Sequence, residues 1–229
     1  MERAAGAYQR GELQAATQDL DRLIKDYDHA LEISEAYYLR GLCRSKSRLP
    51  REAEQDFERA IQKSQRADLT ARSRASLAAM AYRSGNWSRA ADLYVRALPD
   101  LPDQPPKDKM LFCAGLALQR NGQWREAVFQ FGQILRKFRD SPMAADARRL
   151  ASWRYDYFAI QLAAFSSTDR AESKVQELRA KGYDAVQEFL PRNNQSLWVV
   201  MVGRYPTYSE AGSGKTRVQR SYPDAFIIP

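Results

Sequence analysis

An internal repeat of 37 residues constrains the fold of this chain more than any other feature. Four alanines recur at that spacing, and each is followed four positions later by leucine or an aromatic residue. These positions are Ala16, Ala53, Ala90 and Ala127, followed by Leu20, Phe57, Tyr94 and Phe131. A fixed period of about 20 to 50 residues is typical of solenoids, in which each unit stacks on the next. The repeat therefore predicts a helical array over the first two thirds of the chain.

Each repeat has the pattern of two amphipathic helices joined by a short turn. The turn is clearest in "RSGNWSRA" and "RNGQWREA", where Gly85 and Gly122 permit a positive φ at the end of a helix. We expect the tryptophans two positions later, Trp87 and Trp124, to pack against the helix pair. One position of each unit holds a small residue that lets the two helices approach closely: Gly41, Ala78 and Gly115.

These segments resemble the tetratricopeptide repeat (TPR) family, and the similarity covers about residues 1–140. It is carried by "YYLRGLCRSKSRLPREAEQDFERAI", "SLAAMAYRSGNWSRAADLYVRAL" and "LFCAGLALQRNGQWREAVFQFGQIL". The period of 37 exceeds the usual TPR period of about 34 residues. The first unit is expected to be only a second helix, beginning near Tyr8. A closing helix is expected in "RDSPMAADARRLASW", with Ser141 as N-cap and Pro142 at its first position. Residues 1–153 are thus predicted to be an all-α helical-hairpin solenoid.

The TPR resemblance implies a concave groove that is lined by the first helix of each pair and binds a protein or peptide partner. Cationic residues recur in this register at Lys46, Arg83 and Arg120, and aromatic residues lie near them at Tyr38, Tyr82 and Phe112. Such a ladder suits an acidic or aromatic-rich peptide, through charge-assisted hydrogen bonds and cation–π contacts. A solvated face is the alternative, because arginine is frequent throughout this half.

The last 75 residues have a different pattern, in which apolar residues alternate with a period of two. "YFAIQLAAF", "YDAVQEFLP", "LWVVMVGRY" and "DAFIIP" are predicted strands, and "RNNQS" a turn between the second and third. Helices are predicted in "STDRAESKVQELRAKG" and, more weakly, in "SEAGSGKTRVQRSY". The order is βαββαβ, which predicts a small α+β domain of the split βαβ type with both helices on one face of the sheet.

Alternation assigns the strand residues to the two faces. Phe158, Ile160 and Leu162 are expected on one face of the first strand, and Ala159, Gln161 and Ala163 on the other. In the third strand, Trp198, Val200 and Val202 share one face, whereas Val199, Met201 and Gly203 share the opposite one. The face without helices is expected to be free for a ligand.

Residues 155–229 resemble the SPOR domain, which binds bacterial peptidoglycan. The similarity is carried by "FAIQLAAFSSTDRAESKVQELRAKGYDA", "LWVVMVGRYPTYSEA" and "DAFII"; Ala163 stands where the family commonly has glycine. The resemblance implies binding of glycan strands stripped of their stem peptides, which are enriched at the division septum. It places the ligand on the helix-free face, with candidate contacts from Gln161, Ser166, Val199, Met201, Arg204 and Tyr205. An amide, a hydroxyl, an apolar floor and a guanidinium are suited to a sugar chain.

Two other classes of function remain open. RNA-binding RRM domains share the βαββαβ order, and the chain has a net charge of +8. An RRM, however, carries aromatic residues on the exposed face of its third strand, where this chain has Val199 and Met201. An enzyme is disfavoured, because His29 is the single histidine and no nucleophile–histidine pair or metal-ligand cluster stands out. No catalytic residue, metal or cofactor is therefore expected.

The segment "SEAGSGKT" contains Gly214, Lys215 and Thr216 in the order that ends a phosphate-binding P-loop. The first glycine of that motif is missing, because Ser209 occupies its position. We expect a frayed or irregular first turn of the second helix, with Gly212 and Gly214 loosening it, and no nucleotide site.

Composition narrows the class of protein but does not by itself indicate a location. The basic excess lies before Tyr155, where there are 27 basic and 20 acidic residues, against nine and eight afterwards. No run of 18 apolar residues is present, so no transmembrane segment is expected. Cys43 and Cys113 are expected to be buried thiols, with a disulfide between them as the alternative. The first ten residues lack the apolar core of a signal peptide. The SPOR resemblance nevertheless implies the periplasm or cell envelope of a bacterium, with an export signal or anchor outside this chain.

Overall fold

A computed structural model describes residues 1–30, 32–192 and 195–229, and for residues 191, 192 and 195 only the backbone. The predicted turn residues Asn193 and Asn194 lie outside the described residues. Two domains follow one another along the chain. A helical array comes first, and a small α+β domain follows it.

Within the described part of the array, the chain forms nine α-helices. Their bounds are α1 Glu2–Gln9, α2 Leu13–Tyr27, α3 Ile33–Lys46, α4 Pro50–Lys63, α5 Ala67–Arg83, α6 Trp87–Ala97, α7 Lys107–Arg120, α8 Trp124–Lys137 and α9 Ala144–Ala151, with a 3₁₀ turn at Leu98–Asp100. Helices α1 to α8 form four antiparallel pairs, and α9 packs on α8. The predicted array of helix pairs is confirmed.

The turn inside each helix pair has the same backbone geometry in all four repeats. Gly11, Gly85 and Gly122 have φ values of +80°, +78° and +84°. The second repeat has Arg48 at the equivalent position, 37 residues after Gly11, and its φ is +61°. A side chain is disfavoured in this left-handed region, so Arg48 occupies a conformation that the other repeats give to glycine.

Close packing within the helix pairs explains the small residues of the repeat. A Cβ on Gly41 would lie 2.8 Å from the ring of Phe57, and one on Gly115 would lie 2.8 Å from Cδ1 of Phe131. Both rings are fully buried, so any larger residue at either glycine would push the paired helices apart. The predicted role of these small residues is confirmed.

Two predicted boundaries of the array are corrected. The first unit has both helices, because the eight residues of α1 form a short first helix that packs on α2. The closing helix α9 begins two residues later than expected, at Ala144. Ser141 is not its N-cap, because the Ser141 hydroxyl donates to Oδ2 of Asp108 at 2.6 Å and accepts from the backbone N–H of Met143.

The C-terminal domain has the predicted order βαββαβ. Its elements are β1 Phe158–Phe165, α10 Thr168–Ala180, β2 Ala185–Arg192, β3 Gln195–Tyr205, α11 Tyr208–Val218 and β4 Phe226–Ile228. The strands lie in the order β2-β3-β1-β4, and every neighbouring pair is antiparallel. Both helices pack on the same face, over a core that includes Ile160, Val200 and Val202. The α+β split βαβ prediction is confirmed.

Two bulges modify the predicted alternation of β1 and β3. The pairing shifts by one residue between Phe158 and Ile160, at Gly203 of β3, and shifts back between Gln161 and Ala163. Beyond the second shift, Ala163 pairs with Val200 and packs on the helix side of the sheet. The prediction that Ala163 lies on the helix-free face is therefore wrong, because an extra residue in one strand reverses the alternation.

Helix α11 is regular from Tyr208 onward, and the expected irregular first turn is wrong. Thr207 caps it, since its hydroxyl accepts from the backbone N–H of Glu210 at 3.3 Å. Gly214 is buried inside the helix, and a Cβ there would lie 2.7 Å from Cε1 of Tyr205. The Gly-Lys-Thr sequence therefore belongs to a helix that packs on the sheet through glycine, not to a phosphate-binding loop.

Candidate ligand-binding surfaces

The centre of the helix-free sheet face is covered by the chain itself. Val199 and Met201 lie on this face, as predicted, but both are 0% exposed. They pack beneath Trp153, Tyr155 and Tyr157, the aromatic residues of the segment that joins α9 to β1. The expectation that Val199 and Met201 form an open apolar floor is wrong, because residues 153–157 fold back over them.

The joining segment, residues 153–157, holds its aromatic side chains in a fixed arrangement. Trp153 Nε1 donates to the Tyr157 carbonyl at 3.1 Å, and the rings of Tyr155 and Tyr157 stack with centroids 5.0 Å apart. The Tyr155 hydroxyl donates to a carboxylate oxygen of Glu188 on β2. This hydrogen bond raises the pKa of Tyr155 to about 12, because it stabilises the protonated phenol beside a negative charge. The segment is thus tied to the sheet at several points.

Three other predicted glycan contacts lie around this covered centre. Gln161 is on the helix-free face but only 7% exposed. Ser166 is exposed just beyond β1, and the Arg204 side chain is 59% exposed. The Arg204 guanidinium lies 5.8 Å from the Tyr157 ring centroid, and its Nε is 3.7 Å from Asp184. Ser166 and Arg204 are at opposite ends of the β1–β3 ladder, roughly 23 Å apart at about 3.3 Å per residue.

Tyr205 does not lie on the helix-free face. Its ring packs on the helix side, between Gly203 and Gly214, where it contacts the domain core. The positive φ of Gly203, +76°, forms part of the bulge that turns the end of β3 in this direction. The proposed sugar contact from Tyr205 is therefore replaced by a structural role.

A cavity of about 250 Å³ lies beside the joining segment on the helix-free side. Its wall combines aromatic rings, two arginines and the edge of β2. The residues that line it are Arg149, Ser152, Trp153, Arg154, Tyr155, Glu188, Phe189, Leu190, Ile228 and Pro229. The end of α9 and the joining segment supply half of this wall, so the cavity spans the two domains.

Comparison with known families identifies the C-terminal domain. The match extends over residues 155–229, which is the whole of the βαββαβ unit. These residues form a SPOR domain. No curated protein matches the chain. The SPOR assignment makes the C-terminal domain a peptidoglycan-binding module, and SPOR and TPR domains are non-catalytic binding domains.

The helical array has the TPR fold, as three solved structures show. YrrB, described as a TPR protein with an unusual peptide-binding site, is 23% identical with a TM-score of 0.53. The alignment covers 65% of this chain and 70% of the YrrB chain. MamA is 14% identical with a TM-score of 0.53, covering 66% and 81%. PilF of Pseudomonas aeruginosa is 16% identical with a TM-score of 0.52, covering 97% and 90%.

The cationic ladder predicted for the TPR groove follows a repeating geometry. Lys46 Nζ lies 4.1 Å from the ring centroid of Tyr8, and the Arg120 guanidinium lies 5.0 Å from that of Tyr82. Both pairs are 38 residues apart, so the same contact recurs two repeats later. In the intervening repeat the position of the ring is taken by Ser45, and Arg83 is exposed. The ladder therefore contains two cations stacked on rings and one presented to solvent.

The aromatic members of the proposed groove are half-buried. Tyr38 packs on Phe57 and Phe112 on Phe131, with ring centroids 5.9 Å and 5.8 Å apart, so both contribute to their own helix pairs. Burial also raises the pKa of Tyr38. Phe112 additionally lines a cleft of about 590 Å³ between α7, α9 and β4 of the SPOR domain.

The SPOR domain docks on the last cation of the ladder. Arg120 lies among three rings, 4.5 Å from the centroid of Trp87, 5.0 Å from Tyr82 and 4.7 Å from Tyr208 at the start of α11. Trp87 also contacts Tyr208 edge-on, with centroids 6.1 Å apart. Arg120 and Tyr82 are thus part of the interface between the domains, and this end of the ladder is occupied.

The turn of the fourth repeat completes the interface. Trp124 packs on Phe158 with ring centroids 4.7 Å apart, and its Nε1 donates to the Pro206 carbonyl at 3.2 Å. A Cβ on Gly122 would lie 3.3 Å from the same carbonyl oxygen, so glycine here also permits the close approach of the SPOR domain. The turn tryptophans were predicted to pack on their own helix pairs. Trp87 does so, against Tyr82 at 5.0 Å between centroids, but both tryptophans also reach across to the second domain.

Sequence reasoning missed the joining segment and this interface. The turn tryptophans gave one signal, because the equivalent positions of the first two repeats hold the smaller residues Leu13 and Pro50. Large aromatic side chains at the turns of the last two repeats suit a surface that another domain covers. The alternation "WRYDY" gave another signal, since three aromatic residues at every second position suit a segment that covers a sheet.

None of the helices in the described part of the chain combines the length and hydrophobicity that a bilayer-spanning helix needs.

Proposed function

We propose that this protein is a non-catalytic adaptor of the bacterial cell envelope. Its SPOR domain binds glycan strands of peptidoglycan that have lost their stem peptides, as at a division septum. Its TPR array holds a protein partner. The observation that carries the proposal is the SPOR match over the entire C-terminal domain, joined to an array of TPR fold. The proposed location is the periplasm or the cell envelope.

The proposed glycan surface follows the open margin of the helix-free face. Arg204 presents a guanidinium next to the Tyr157 ring at one end, and Ser166 presents a hydroxyl at the other. Sugars offer hydroxyl and N-acetyl groups to polar side chains, and their apolar faces stack on aromatic rings. Gln161 contributes a minor contact, because only 7% of it is exposed. An extended strand, not a single sugar, reaches both ends.

The proposed partner site is the part of the TPR groove that the SPOR domain leaves open. Arg83 is exposed there, and Lys46 lies over Tyr8 one repeat earlier. An acidic peptide with aromatic residues suits this surface, because guanidinium and ammonium groups pair with carboxylates and stack on rings. Arg120, held by Tyr208, is left out of the partner site.

The glycan proposal is tested by pull-down of the full chain with amidase-treated sacculi. We expect retention that exceeds retention by untreated sacculi, and weaker retention of Arg204→Ala and Ser166→Ala. Arg217→Ala is the matched control, because Arg217 is exposed on α11 on the opposite side of the sheet. Equal retention of all variants would remove Arg204 and Ser166 from the site, and no retention of the unmodified chain would refute the function.

A second assay on the full chain distinguishes glycan binding from RNA binding. The RRM alternative has no support in the structure, because Val199 and Met201, where an RRM would present aromatic rings, are fully buried. In a filter assay, salt-sensitive retention of single-stranded RNA by the full chain would favour RNA over glycan. We expect retention of RNA no greater than that by a control protein of equal net charge.

The partner site is tested with an array of peptides that carry Asp or Glu beside Tyr or Phe. We expect Arg83→Glu to abolish binding of the acidic peptides, since the substitution places like charges together. Arg125→Glu makes the same charge change on the exposed surface of α8 and is expected to leave binding unchanged. If Arg125→Glu weakens binding as much as Arg83→Glu, the effect is one of net charge and the proposed groove is wrong.

A further inference from the structure

The cavity of about 250 Å³ between the joining segment and the sheet is built from both domains, and its chemistry is that of a site for an acidic sugar. Resting on the proposed glycan function, we propose that it binds a single N-acetylated amino sugar that carries a free carboxylate. This is the group that remains on muramic acid when the stem peptide is removed. The end of the helical array then supplies part of the glycan site through α9 and the following residues 152–154.

The aromatic wall of the cavity is preorganised. Trp153 meets Tyr155 edge-on, with ring centroids 5.5 Å apart, and each ring has its polar group engaged elsewhere. The Trp153 indole N–H is bonded to a backbone carbonyl and the Tyr155 hydroxyl to Glu188. The rings therefore present apolar surface to the cavity, and little side-chain entropy is lost when a sugar face stacks on them.

Two arginines give the cavity its charge. Arg149 and Arg154 both line it, one from the last turn of α9 and one from the joining segment. Arg149 Nη2 contacts Asp146 at 3.2 Å, but both side chains are more than half exposed, so this pair is weak and exchangeable. Glu188 is held by the Tyr155 hydroxyl. A carboxylate on the ligand can thus pair with guanidinium groups, in the charge-assisted geometry that favours arginine.

This charge explains how a strand without stem peptides could be distinguished from an intact one. In intact peptidoglycan the lactyl group is a neutral amide, and hydrolysis of that amide leaves a carboxylate. A site with two arginines prefers the carboxylate over the amide. The volume is slightly below the range of about 300–1,000 Å³ usual for small-molecule pockets, so it accepts one sugar ring of a longer strand.

The proposal is tested by titrating the full chain with two forms of one tetrasaccharide. Both consist of alternating N-acetylglucosamine and N-acetylmuramic acid; one has free lactyl carboxylates and the other has them converted to methyl amides. We expect the unmodified chain to prefer the carboxylate form by about tenfold, the usual effect of charge-assisted hydrogen bonds. The double variant Arg149→Gln/Arg154→Gln is expected to lose this preference.

A matched double variant controls for net charge. Arg139→Gln/Arg148→Gln removes the same two charges, and both residues are exposed and absent from the cavity wall. It is expected to keep the preference for the carboxylate form. Loss of the preference in both double variants would show a general charge effect and overturn the proposal.

The remaining outcomes separate this proposal from the proposed function. If the unmodified chain binds neither tetrasaccharide nor amidase-treated sacculi, the function itself fails. If the unmodified chain binds the tetrasaccharides and Arg149→Gln/Arg154→Gln binds them equally well with the same preference, only the proposed cavity site fails. Trp153→Ala, checked for folding by thermal unfolding, is expected to weaken binding. Tighter binding by folded Trp153→Ala would show that the joining segment blocks the sheet, which contradicts the proposal.

Discussion

The ring of Tyr205 occupies the space that a side chain at Gly214 would need, and a Cβ on Gly214 would lie 2.7 Å from Cε1 of that ring. The glycine in the middle of α11 is thus explained by packing. Gly212, two residues earlier in the same helix, has no atom within 4 Å of its Cβ position. The two glycines of one helix therefore have opposite sensitivities to substitution.

Gly214→Ala is expected to destabilise the protein and Gly212→Ala to stabilise it. Overpacking against Tyr205 costs about 1–3 kcal/mol, offset in part by about 1 kcal/mol from the higher helix propensity of alanine. At Gly212 only the propensity gain of up to about 1 kcal/mol applies. The free energy of unfolding in urea measures both changes. A stabilising Gly214→Ala would show that Tyr205 has room to move.

Arg48→Gly is expected to raise the free energy of unfolding by about 0.5–1 kcal/mol. Arg48 has a φ of +61°, and a non-glycine residue in this region costs about 1–2 kcal/mol. Glycine would remove this cost, but it would also stabilise the unfolded chain through its greater conformational entropy, so the net gain is smaller. Gly11→Arg is the reverse substitution at the equivalent turn, where a Cβ meets nothing within 4 Å. It should lower stability by about 1 kcal/mol, and a neutral result would mean that the turn relaxes.

Arg120 and Tyr208 are expected to show a coupling free energy of about 0.5–2 kcal/mol in a double-mutant cycle of alanine substitutions. The contact joins the two domains, with the guanidinium 4.7 Å from the ring centroid. Arg83→Ala, at the equivalent exposed position one repeat earlier, should show no coupling with Tyr208→Ala. The free energy of unfolding in urea is the measurement. Additivity of Arg120→Ala and Tyr208→Ala would show that the interface does not depend on this contact.

The hydrogen bond between Tyr155 and Glu188 is expected to add a pH-dependent contribution to stability at alkaline pH. The bond raises the pKa of Tyr155 to about 12, above the ordinary value of 10.0, so folding favours the protonated phenol. The contribution is fully present below pH 10 and is lost as the pH rises through about 12. Glu188→Gln should lower the pKa of Tyr155, followed by phenolate absorbance, and flatten this loss. An unchanged titration in Glu188→Gln would contradict the hydrogen bond.

Local sequence patterns predicted the elements of both domains. The repeat located the helix pairs and their turns, since Gly85 and Gly122 have the expected positive φ. The alternation of apolar residues and the order of the elements predicted the sheet. Both are properties of short stretches of sequence, which local patterns record. Local patterns did not predict the bulge that places Ala163 on the helix side. A bulge adds one residue to one strand without changing the residue types around it.

The candidate site was less predictable because it depends on contacts between distant segments. Val199 and Met201 were correctly placed on a face, but alternation does not distinguish a face open to ligand from one covered by residues 153–157. Their apolar character was the available clue, since solvated sheet faces are usually polar. The docking of Trp124 on Phe158 and Pro206 joins residues 34 and 82 positions apart, which no local pattern records.

The docking of the fourth-repeat turn on the SPOR domain fixes the spacing between that domain and each repeat of the array. Because Trp124 and Gly122 hold the end of the array against Pro206, the stacked repeats leave the glycan-binding domain in one fixed direction. Each repeat toward the N-terminus then lies one step farther from the SPOR domain. A partner bound near Lys46 would therefore be held farther from the SPOR domain than one bound near Arg83, so the choice of repeat would set the spacing between the two ligands of the protein.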